Sequence, residues 1–589
     1  MKSRLICITL LLCVLLSACG GEPEAGAPLF AERGAAEREP LGELKPAADP
    51  EALLAALSAA GESHASDWDP GEPEQSAGLR LEDLSPEAGD TAATDGGYIY
   101  MLDSYGLILL SAAGTRSEML SYTRVAQAGA GWSRRLFLGQ DRVAVVCTVS
   151  GEDGEELWED GSQVRVILLD TADKRAPRLL GETAVEGSLV DARLVGDSLC
   201  LVTQRSFLSL PESGEALLPR LREQDETLSL EPGDVYLCPN PTRAALTVAA
   251  ALRMEDGRIS DALAFTDGTE AVCGEGNQLI LSRTRWDETA SQPYREEPYR
   301  VVDYSVTART ELKSLRLENG SLRLEGGCVL EGALPDASAM KLENGVLYTA
   351  AETDSRVFSA YTDENHGWTN YEGKGRERGA RLTLLDGGLN ALGALTELGG
   401  QTGLRACRFA GGMAWFSAAG EADRLYGGDL RDPAAPAMSD SLSLQADSLW
   451  LRSLGEGSVL GLAAPAGEED WQLLVLDTGD PAHPRQADSL KLGKLVPAFD
   501  PADRGAVFTD PETGLIGLPV READSVRYLL VRWTGGSLKR LGAISPEYIP
   551  GSARAMLLNG LLYLCGPGEV YVTDPDSLEI LASVSNAVG

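Results

Sequence analysis

The sequence predicts an all-β protein, built mainly from a β-propeller of four-stranded antiparallel blades. Short apolar runs separated by Gly, Asp or Asn turns recur along most of the 589 residues. The 65 glycines and 30 prolines are typical of a chain with many tight turns and few long helices. A repeated unit of this kind indicates a propeller, because one blade cannot bury both of its faces without neighbours.

Two kinds of turn mark the repeat. Hairpins between a first and a second strand are predicted at Gly196-Asp197, Asn344-Gly345, Gly411-Gly412 and Asn559-Gly560. Turns with the pattern D-x-x-D-x-x-x-P begin at Asp170, Asp429 and Asp477. In these turns Asp caps the backbone through its side chain, and Pro restricts the preceding residue to an extended conformation.

The number of blades is less well defined. A literal count gives nine strand units, from Tyr98–Met101 to Val570–Val572. Because propellers usually have roughly four to eight blades, we predict eight, with one unit being an insertion or a split blade. Seven and nine blades are the alternatives. The propeller domain is predicted to occupy residues 79–589.

Residues 1–18 have the features of a lipoprotein signal peptide. Lys2 and Arg4 precede the apolar run Leu5–Leu16, which is too short to span a bilayer as a helix. The segment Leu16–Cys19 resembles the bacterial lipobox, in which the Cys becomes a lipidated N-terminus. The alternative is an ordinary secretory signal. We predict export and anchoring to the outer face of a bacterial membrane, in the cell envelope, through a lipid on Cys19.

Residues 19–78 are predicted to form a flexible tether. The stretch after Cys19 is rich in Gly, Glu, Pro and Ala and has too few apolar side chains to offset the entropy lost on ordering. One short helix is expected at about 50–60, with Asp49 as its N-cap and Gly61 as its end.

The strongly negative net charge restricts the classes of binding partner. A formal net charge of -38 repels nucleic acid and anionic headgroups, so no nucleic-acid partner is expected and the lipid alone should provide membrane attachment. A binding partner in the envelope, namely a protein, a peptide or a glycan, is compatible with this charge.

Three segments, Asp95–Tyr100, Val185–Thr203 and Ala506–Val520, resemble an uncharacterised bacterial family of secreted proteins with a C-terminal β-propeller, distantly similar to WD repeats. The resemblance extends over roughly residues 80–589. The acidic lead-in that usually precedes the first strand is degenerate here, at Leu81–Thr94. The resemblance implies the fold but no activity and no catalytic residues.

Cysteine chemistry is not expected. Seven cysteines remain after the signal peptide and Cys19, and most lie in apolar runs, where they resemble small buried hydrophobic residues. Their odd number argues against a full disulfide framework. A single disulfide between Cys238 and Cys273 is left open.

The sequence contains no recognisable catalytic motif. The three histidines lie apart in the chain, and neither a zinc-protease motif, a nucleophile elbow nor a phosphate-binding loop is present. Paired carboxylates are too common among 89 acidic residues to identify a glycosidase. We therefore expect no metal, no cofactor and no catalytic residues, and favour a non-enzymatic protein.

Aromatic residues concentrate in the predicted connections on one face of the ring. Long segments between second and third strands fall at about 151–162, 284–299, 352–379 and 463–471. Aromatics in polar loops are typical of binding surfaces, although each ring can also fix its own loop to a blade. The candidate binding residues are Trp132, Trp158, Trp286, Tyr294, Tyr361, Trp368 and Trp471.

Two functions fit these features. The first is a lipid-anchored, non-catalytic binding or scaffolding module for an envelope protein, peptide or glycan. The alternative is a polysaccharide hydrolase or lyase that uses carboxylates in the central channel. This function requires several acidic residues to converge there.

Overall fold

The computed structural model describes residues 32–34, 37–60, 80–81 and 88–586, with internal gaps. The gaps are at 104, 126–133, 150–161, 225, 240, 397, 399–402, 419–423, 445, 456, 466–469, 501–502 and 504. Cys19, Trp132 and Trp158 lie outside the described residues.

Among the described residues, four short strands and one α-helix precede the repeat. They are β1 (Glu32–Gly34), β2 (Glu39–Pro40), β3 (Lys45–Pro46), α1 (Pro50–Ser58) and β4 (Arg80–Leu81). Short 3-10 helices occur at Gly114–Arg116, Gly214–Leu217, Pro232–Asp234 and Ala337–Ala339.

The first three blades contain the following strands. Blade 1 is β5 (Ala92–Thr94), β6 (Tyr98–Leu102), β7 (Gly106–Ser111) and β8 (Met119–Arg124). Blade 2 is β9 (Arg134–Gly139), β10 (Arg142–Val149), β11 (Gln163–Asp170) and β12 (Arg178–Glu186). Blade 3 is β13 (Ser188–Val195), β14 (Ser198–Ser206), β18 (Ala245–Arg253) and β19 (Ile259–Thr266). In its long internal connection, β15 (Arg220–Glu223) and β16 (Glu226–Ser229) extend blade 2 beside β12, and β17 (Val235–Leu237) pairs with β19.

Blades 4 and 5 share one sheet. Blade 4 is β20 (Ala271–Glu275), β21 (Gln278–Ala290), β23 (Tyr299–Glu318) and β24 (Ser321–Glu331), with β22 (Tyr294–Glu296) beside β23. Blade 5 is β25 (Met340–Glu343), β26 (Val346–Asp363), β27 (Trp368–Asp386) and β28 (Ala391–Thr396).

The remaining blades are shorter. Blade 6 is β29 (Leu404–Ala410), β30 (Met413–Ala418), β31 (Arg424–Asp429) and β32 (Ala437–Met438), with β33 (Leu442–Ser443). Blade 7 is β34 (Ala446–Ser453), β35 (Ser458–Pro465), β36 (Gln472–Asp477) and β37 (Arg485–Lys491). Blade 8 is β38 (Val496–Pro497), β39 (Phe508–Asp510), β40 (Leu515–Glu522), β41 (Ser525–Thr534) and β42 (Ser537–Ile544). Blade 9 is β43 (Arg554–Leu558), β44 (Leu561–Gly566), β45 (Glu569–Thr573) and β46 (Ile580–Ser585).

The predicted all-β propeller is confirmed, but in the described part of the chain the ring has nine blades, not eight. A separate apolar cluster lies between each pair of successive blades, and one more joins blade 9 to blade 1. In that last cluster Ile99 and Ile108 pack with Tyr563 and Val572. The expected insertion does not exist, because every unit buries one face against each neighbour.

The repeated turns have the predicted geometry. In the hairpin turn of blade 5, Asn344 and Gly345 have φ values of +53° and +71°, which are favourable for Asn and Gly and strained for most other residues. In the D-x-x-D turn of blade 2, the Asp170 carboxylate accepts from the Ala172 amide at 3.0 Å and that of Asp173 accepts from the Arg175 amide at 3.0 Å. The same pair of contacts recurs in the turns that begin at Asp429 and Asp477.

Part of the predicted tether is docked on the ring. β1, β2 and β3 pair antiparallel with β28, β24 and β17, which places the segment along the outer strands of blades 5 and 4 and beside blade 3. Helix α1 begins as predicted, since the Asp49 carboxylate accepts from the Ala52 amide at 2.8 Å. Its Leu53 and Leu57 are completely buried in the cluster between blades 2 and 3. Within the segment predicted as a tether, residues 32–34, 39–40, 45–46 and 50–58 are thus docked on the ring, because free strand edges and an apolar groove accept them.

Candidate functional site

Four of the seven candidate aromatic residues lie together on one projection from the ring. The connections between the second and third strands of blades 4 and 5 are long hairpins, as the sequence predicted for these two segments. Residues 300–307 of β23 pair with residues 355–362 of β26, so the two hairpins form a single four-stranded sheet. We call residues 284–308 and 352–380 the arm. Trp286, Tyr294, Tyr361 and Trp368 all belong to it.

The other candidates are elsewhere. Trp471 is half-buried and packs against the apolar cluster between blades 7 and 8. It therefore fixes its own connection to the ring. Trp132 and Trp158 are outside the described residues.

One side of the arm is a small apolar core, which we call the packed face. Val306 and Phe358 are completely buried there, with Trp286, Tyr304 and Tyr371 packed around them. The rings of Tyr304 and Phe358 stack at 5.3 Å. Trp286 therefore has a packing role, and the Arg356 guanidinium lies over its ring at 4.7 Å.

Ion pairs continue this face towards the ring. The buried Asp354 carboxylate is 2.8 Å from Arg356 and 2.7 Å from Arg376. Burial by itself would raise the pKa of Asp354, but the hydrogen bonds from the two guanidinium groups outweigh it and lower that pKa. Glu352 pairs with Arg378, yet burial dominates and raises the pKa of Glu352. These contacts cross-link both strands of the blade 5 hairpin.

The opposite side is the aromatic face, formed by Tyr294, Tyr299, Tyr361 and Trp368. In β23, β26 and β27 the register places alternate residues on this side of the sheet. The rings of Tyr299 and Tyr361 are 6.0 Å apart at 87°, and those of Tyr299 and Trp368 are 5.6 Å apart at 61°. Trp368 and Tyr294 remain 44% and 43% exposed. Tyr299 was not among the predicted site residues, because only the strand register shows which side it faces.

A tight turn holds the tip of the arm. The Asp363 carboxylate accepts from the amides of Asn365 at 2.9 Å and His366 at 3.2 Å, and lies 2.8 Å from His366 Nδ1. The hydrogen bond from His366 lowers the pKa of Asp363. His366 is thus a turn residue, exposed and joined to one carboxylate, and offers no catalytic arrangement.

A cavity of about 1990 Å³ at the centre of the ring is the second candidate site. It is lined by inner strands and first hairpin turns, mainly of blades 2 to 7. Two of its carboxylates pair with arginines, Asp191 with Arg193 at 3.0 Å and Asp336 with Arg408 at 2.9 Å. Asp191 also lies 3.1 Å from Arg135 of blade 2, and the Asp336–Arg408 pair joins the segment before β25 to blade 6. The other acidic residues that line the cavity are Asp141, Asp197, Glu255, Glu275 and Glu343.

The cysteines do not contribute a site. The seven from Cys147 to Cys565 are buried thiols, and burial raises the pKa of Cys200 and Cys565 to about 12. The disulfide between Cys238 and Cys273 is not present. The two residues belong to different apolar clusters, one between blades 3 and 4 and the other between blades 4 and 5. In the part of the chain that the structure describes, no group of three potential metal ligands comes together.

Residues 87–545 match the family described as Beta propeller domain. The chain belongs to this family. The match spans blades 1 to 8 of the Beta propeller domain, and the structure adds blade 9, which closes the ring.

Relatives of this Beta propeller domain protein are uncharacterised archaeal proteins. One from Archaeoglobus fulgidus is 22% identical over 453 residues, 67% of each chain. Another from Methanocaldococcus jannaschii is 22% identical over 370 residues, 60% of this chain, which spans about half (52%) of that relative. A solved structure of an uncharacterised Listeria monocytogenes protein has 8% identity, covers 84% of this chain and 97% of its own, and has a TM-score of 0.30, too low to support an inference.

Proposed function

We propose that the protein is an exported lipoprotein whose propeller binds a protein, peptide or glycan of the cell envelope through the arm, without catalysis. The observation that carries the proposal is the aromatic face. Exposed Trp and Tyr side chains on a rigid, projecting sheet are the usual material of binding hot spots. The packed face and its ion pairs keep the sheet in place, so that little ordering is needed on binding.

The lipid anchor is supported by the sequence Leu16–Cys19. Since β1 is paired with the outer strand of blade 5, only thirteen positions separate Cys19 from Glu32. A fully extended chain of that length reaches roughly 45 Å, so the rim of blade 5 stays near the membrane. In the described part of the chain, no helix is long and apolar enough to cross a bilayer.

The second candidate function is a polysaccharide hydrolase or lyase in the central channel. The size of the cavity favours it, because about 1990 Å³ accommodates several sugar rings. Glycoside cleavage requires a pair of carboxyl groups, one of which can donate a proton. The pairing of Asp191 with Arg193 and of Asp336 with Arg408 counts against these two residues in that role, which leaves Asp197 and Glu255 of the cavity lining as the candidates.

Cys19→Ala tests the anchor. The variant should be exported but released from membranes, whereas the parent chain should stay in the membrane fraction. Retention of the Cys19→Ala chain in membranes would show that another part of the molecule attaches it.

Binding is tested with the Cys19→Ala chain as a soluble reference. Envelope extract is passed over this chain and over the same chain with Trp368→Ala and Tyr294→Ala, and captured molecules are identified and quantified. Tyr105→Ala, an equally exposed tyrosine on blade 1 (49% exposed), is the matched control. Capture of one partner by the reference and the control, with loss in the double variant, is expected. Equal capture by all three chains would exclude the arm as the binding site. Cleavage of envelope polysaccharide by the reference chain would favour the alternative function, catalysis in the central channel.

A further inference from the structure

The charged groups around the aromatic face are mostly carboxylates. The strand register places Glu296, Asp303, Asp363 and Glu372 on this side of the arm. Arg295, on the opposite side, is occupied by Glu364 at 2.9 Å. The face is therefore negative, within a chain whose net charge is already -38.

The face already holds one ammonium group. Lys374 Nζ lies 5.6 Å from the centre of the Tyr361 ring, 3.2 Å from the Tyr361 hydroxyl and 3.0 Å from Glu372. The hydrogen bond from Lys374 lowers the pKa of Glu372 and the same contact raises the pKa of Lys374. An aromatic ring and a carboxylate thus stabilise a cation at this position.

The exposed rings beside these carboxylates suit a compact cation. Tyr299 stands at 87° to Tyr361 and at 61° to Trp368, with ring centroids 6.0 Å and 5.6 Å apart. The three rings therefore pack edge to face in one cluster, which we call the corner. Trp368 is 44% exposed and offers a ring surface to which a cation is attracted.

We propose that this corner binds a lysine or arginine side chain presented by a basic segment of a partner protein. The proposal rests on the binding function proposed above and names the chemistry of its ligand. The net charge of the protein would draw such a segment towards it, and this attraction weakens as salt is added. Tyr299 and Trp368 would contact the cation, while Glu296, directly opposite Tyr299 in the strand register, neutralises its charge.

The test measures binding of fluorescently labelled hexalysine to the Cys19→Ala chain by polarisation. Trp368→Ala and Tyr299→Ala leave the net charge unchanged, so they separate the corner from general attraction to an acidic protein. Each is expected to weaken binding about tenfold, and Trp368→Phe should restore part of it. Tyr105→Ala should bind like the reference. Thermal unfolding of each variant confirms that the ring is intact.

Equal affinity of the reference and Trp368→Ala for hexalysine would overturn the inference, because binding would then depend on diffuse charge alone. Cellohexaose is tested in parallel as a neutral glycan. One outcome is that cellohexaose binds, that Trp368→Ala abolishes cellohexaose binding, and that hexalysine binding is unaffected by this substitution. The arm would then be a binding site whose ligand is a sugar. The proposed function would then stand while the inference about a cation fails.

Discussion

Asp90 and Arg554 lie 464 positions apart and form a paired contact at the junction of the ring. Arg554 Nε donates to Asp90 Oδ2 at 2.8 Å, and Nη2 donates to Asp90 Oδ1 at 2.9 Å. Arg554 Nη1 also donates to Asp503 Oδ2 at 3.0 Å. Asp90 precedes blade 1 and Arg554 begins blade 9, so one side chain connects the two ends of the propeller.

Arg554→Met should destabilise the protein by about 2–4 kcal/mol, because it leaves two carboxylates without their buried partner. Urea unfolding at neutral pH measures the change. Arg485→Met is the control: its partner Asp477 is also an aspartate, but Arg485 is 73% exposed and should contribute less than about 1 kcal/mol. Equal effects of the two variants would show that the Asp90 contact does not close the ring.

Ending the chain after Ser545 should abolish cooperative folding. Without blade 9, the apolar faces of blades 8 and 1 lose their partners, among them Tyr563 and Leu564. Because blades depend on their neighbours, the exposed faces should cause aggregation or a broad, early unfolding transition. Calorimetry measures the unfolding transition and light scattering the aggregation of the truncated chain, each in comparison with the chain that ends at Gly589. A sharp, unshifted transition would show that eight blades are sufficient.

Leu53→Ala should detach helix α1. Its side chain is completely buried between blades 2 and 3, and removing it should cost about 2–4 kcal/mol. Hydrogen exchange of the α1 amides and limited proteolysis report the loss locally, and urea unfolding reports it globally. Ser58→Ala, at an exposed position of the same helix, is the control. Unchanged protection in Leu53→Ala would mean that the helix is not docked in solution.

Asp440→Asn should lower the pKa of His483. His483 Nδ1 lies 2.8 Å from Asp440 Oδ2, and this hydrogen bond raises the pKa of His483 above its ordinary value of about 6.5. Since the folded-state pKa is raised, the contribution to stability is fully present below that ordinary value and is lost as pH rises through the raised pKa. NMR titration of the imidazole measures the shift. Asp173→Asn, in the equivalent turn of blade 2, should leave the titration of His483 unchanged.

Local chemistry explains the predictions that the structure confirms. Asn344-Gly345 and the turns beginning at Asp170 and Asp429 depend on residues adjacent in sequence, so their geometry follows from side-chain size and hydrogen-bonding groups. The two long hairpins of the arm were also recognisable, because polar and aromatic residues interrupt the regular strand spacing. The start of helix α1 was predicted from Asp49 for the same reason.

Predictions that depended on distant contacts were less successful. The docking of Leu53 was missed because the groove that receives it is made by residues more than a hundred positions later, such as Val164 and Leu221. The separation of Cys238 and Cys273 reflects their assignment to different blade interfaces. Trp286, Tyr361 and Trp368 seemed equivalent in the sequence, yet the register places Trp286 in the packed face and leaves Trp368 exposed on the aromatic face.

The sequence by itself determined the β-rich repeat, its turns, the acidic surface and the signal-like N-terminus, because these depend on composition and on neighbours in the chain. Only the tertiary structure decided that nine blades close the ring, that the N-terminal segment docks on its rim, and that Tyr299, Tyr361 and Trp368 meet at one corner. These features arise from pairings between strands far apart in the chain, and burial of apolar surface at each interface selects one arrangement among many that the sequence pattern allows.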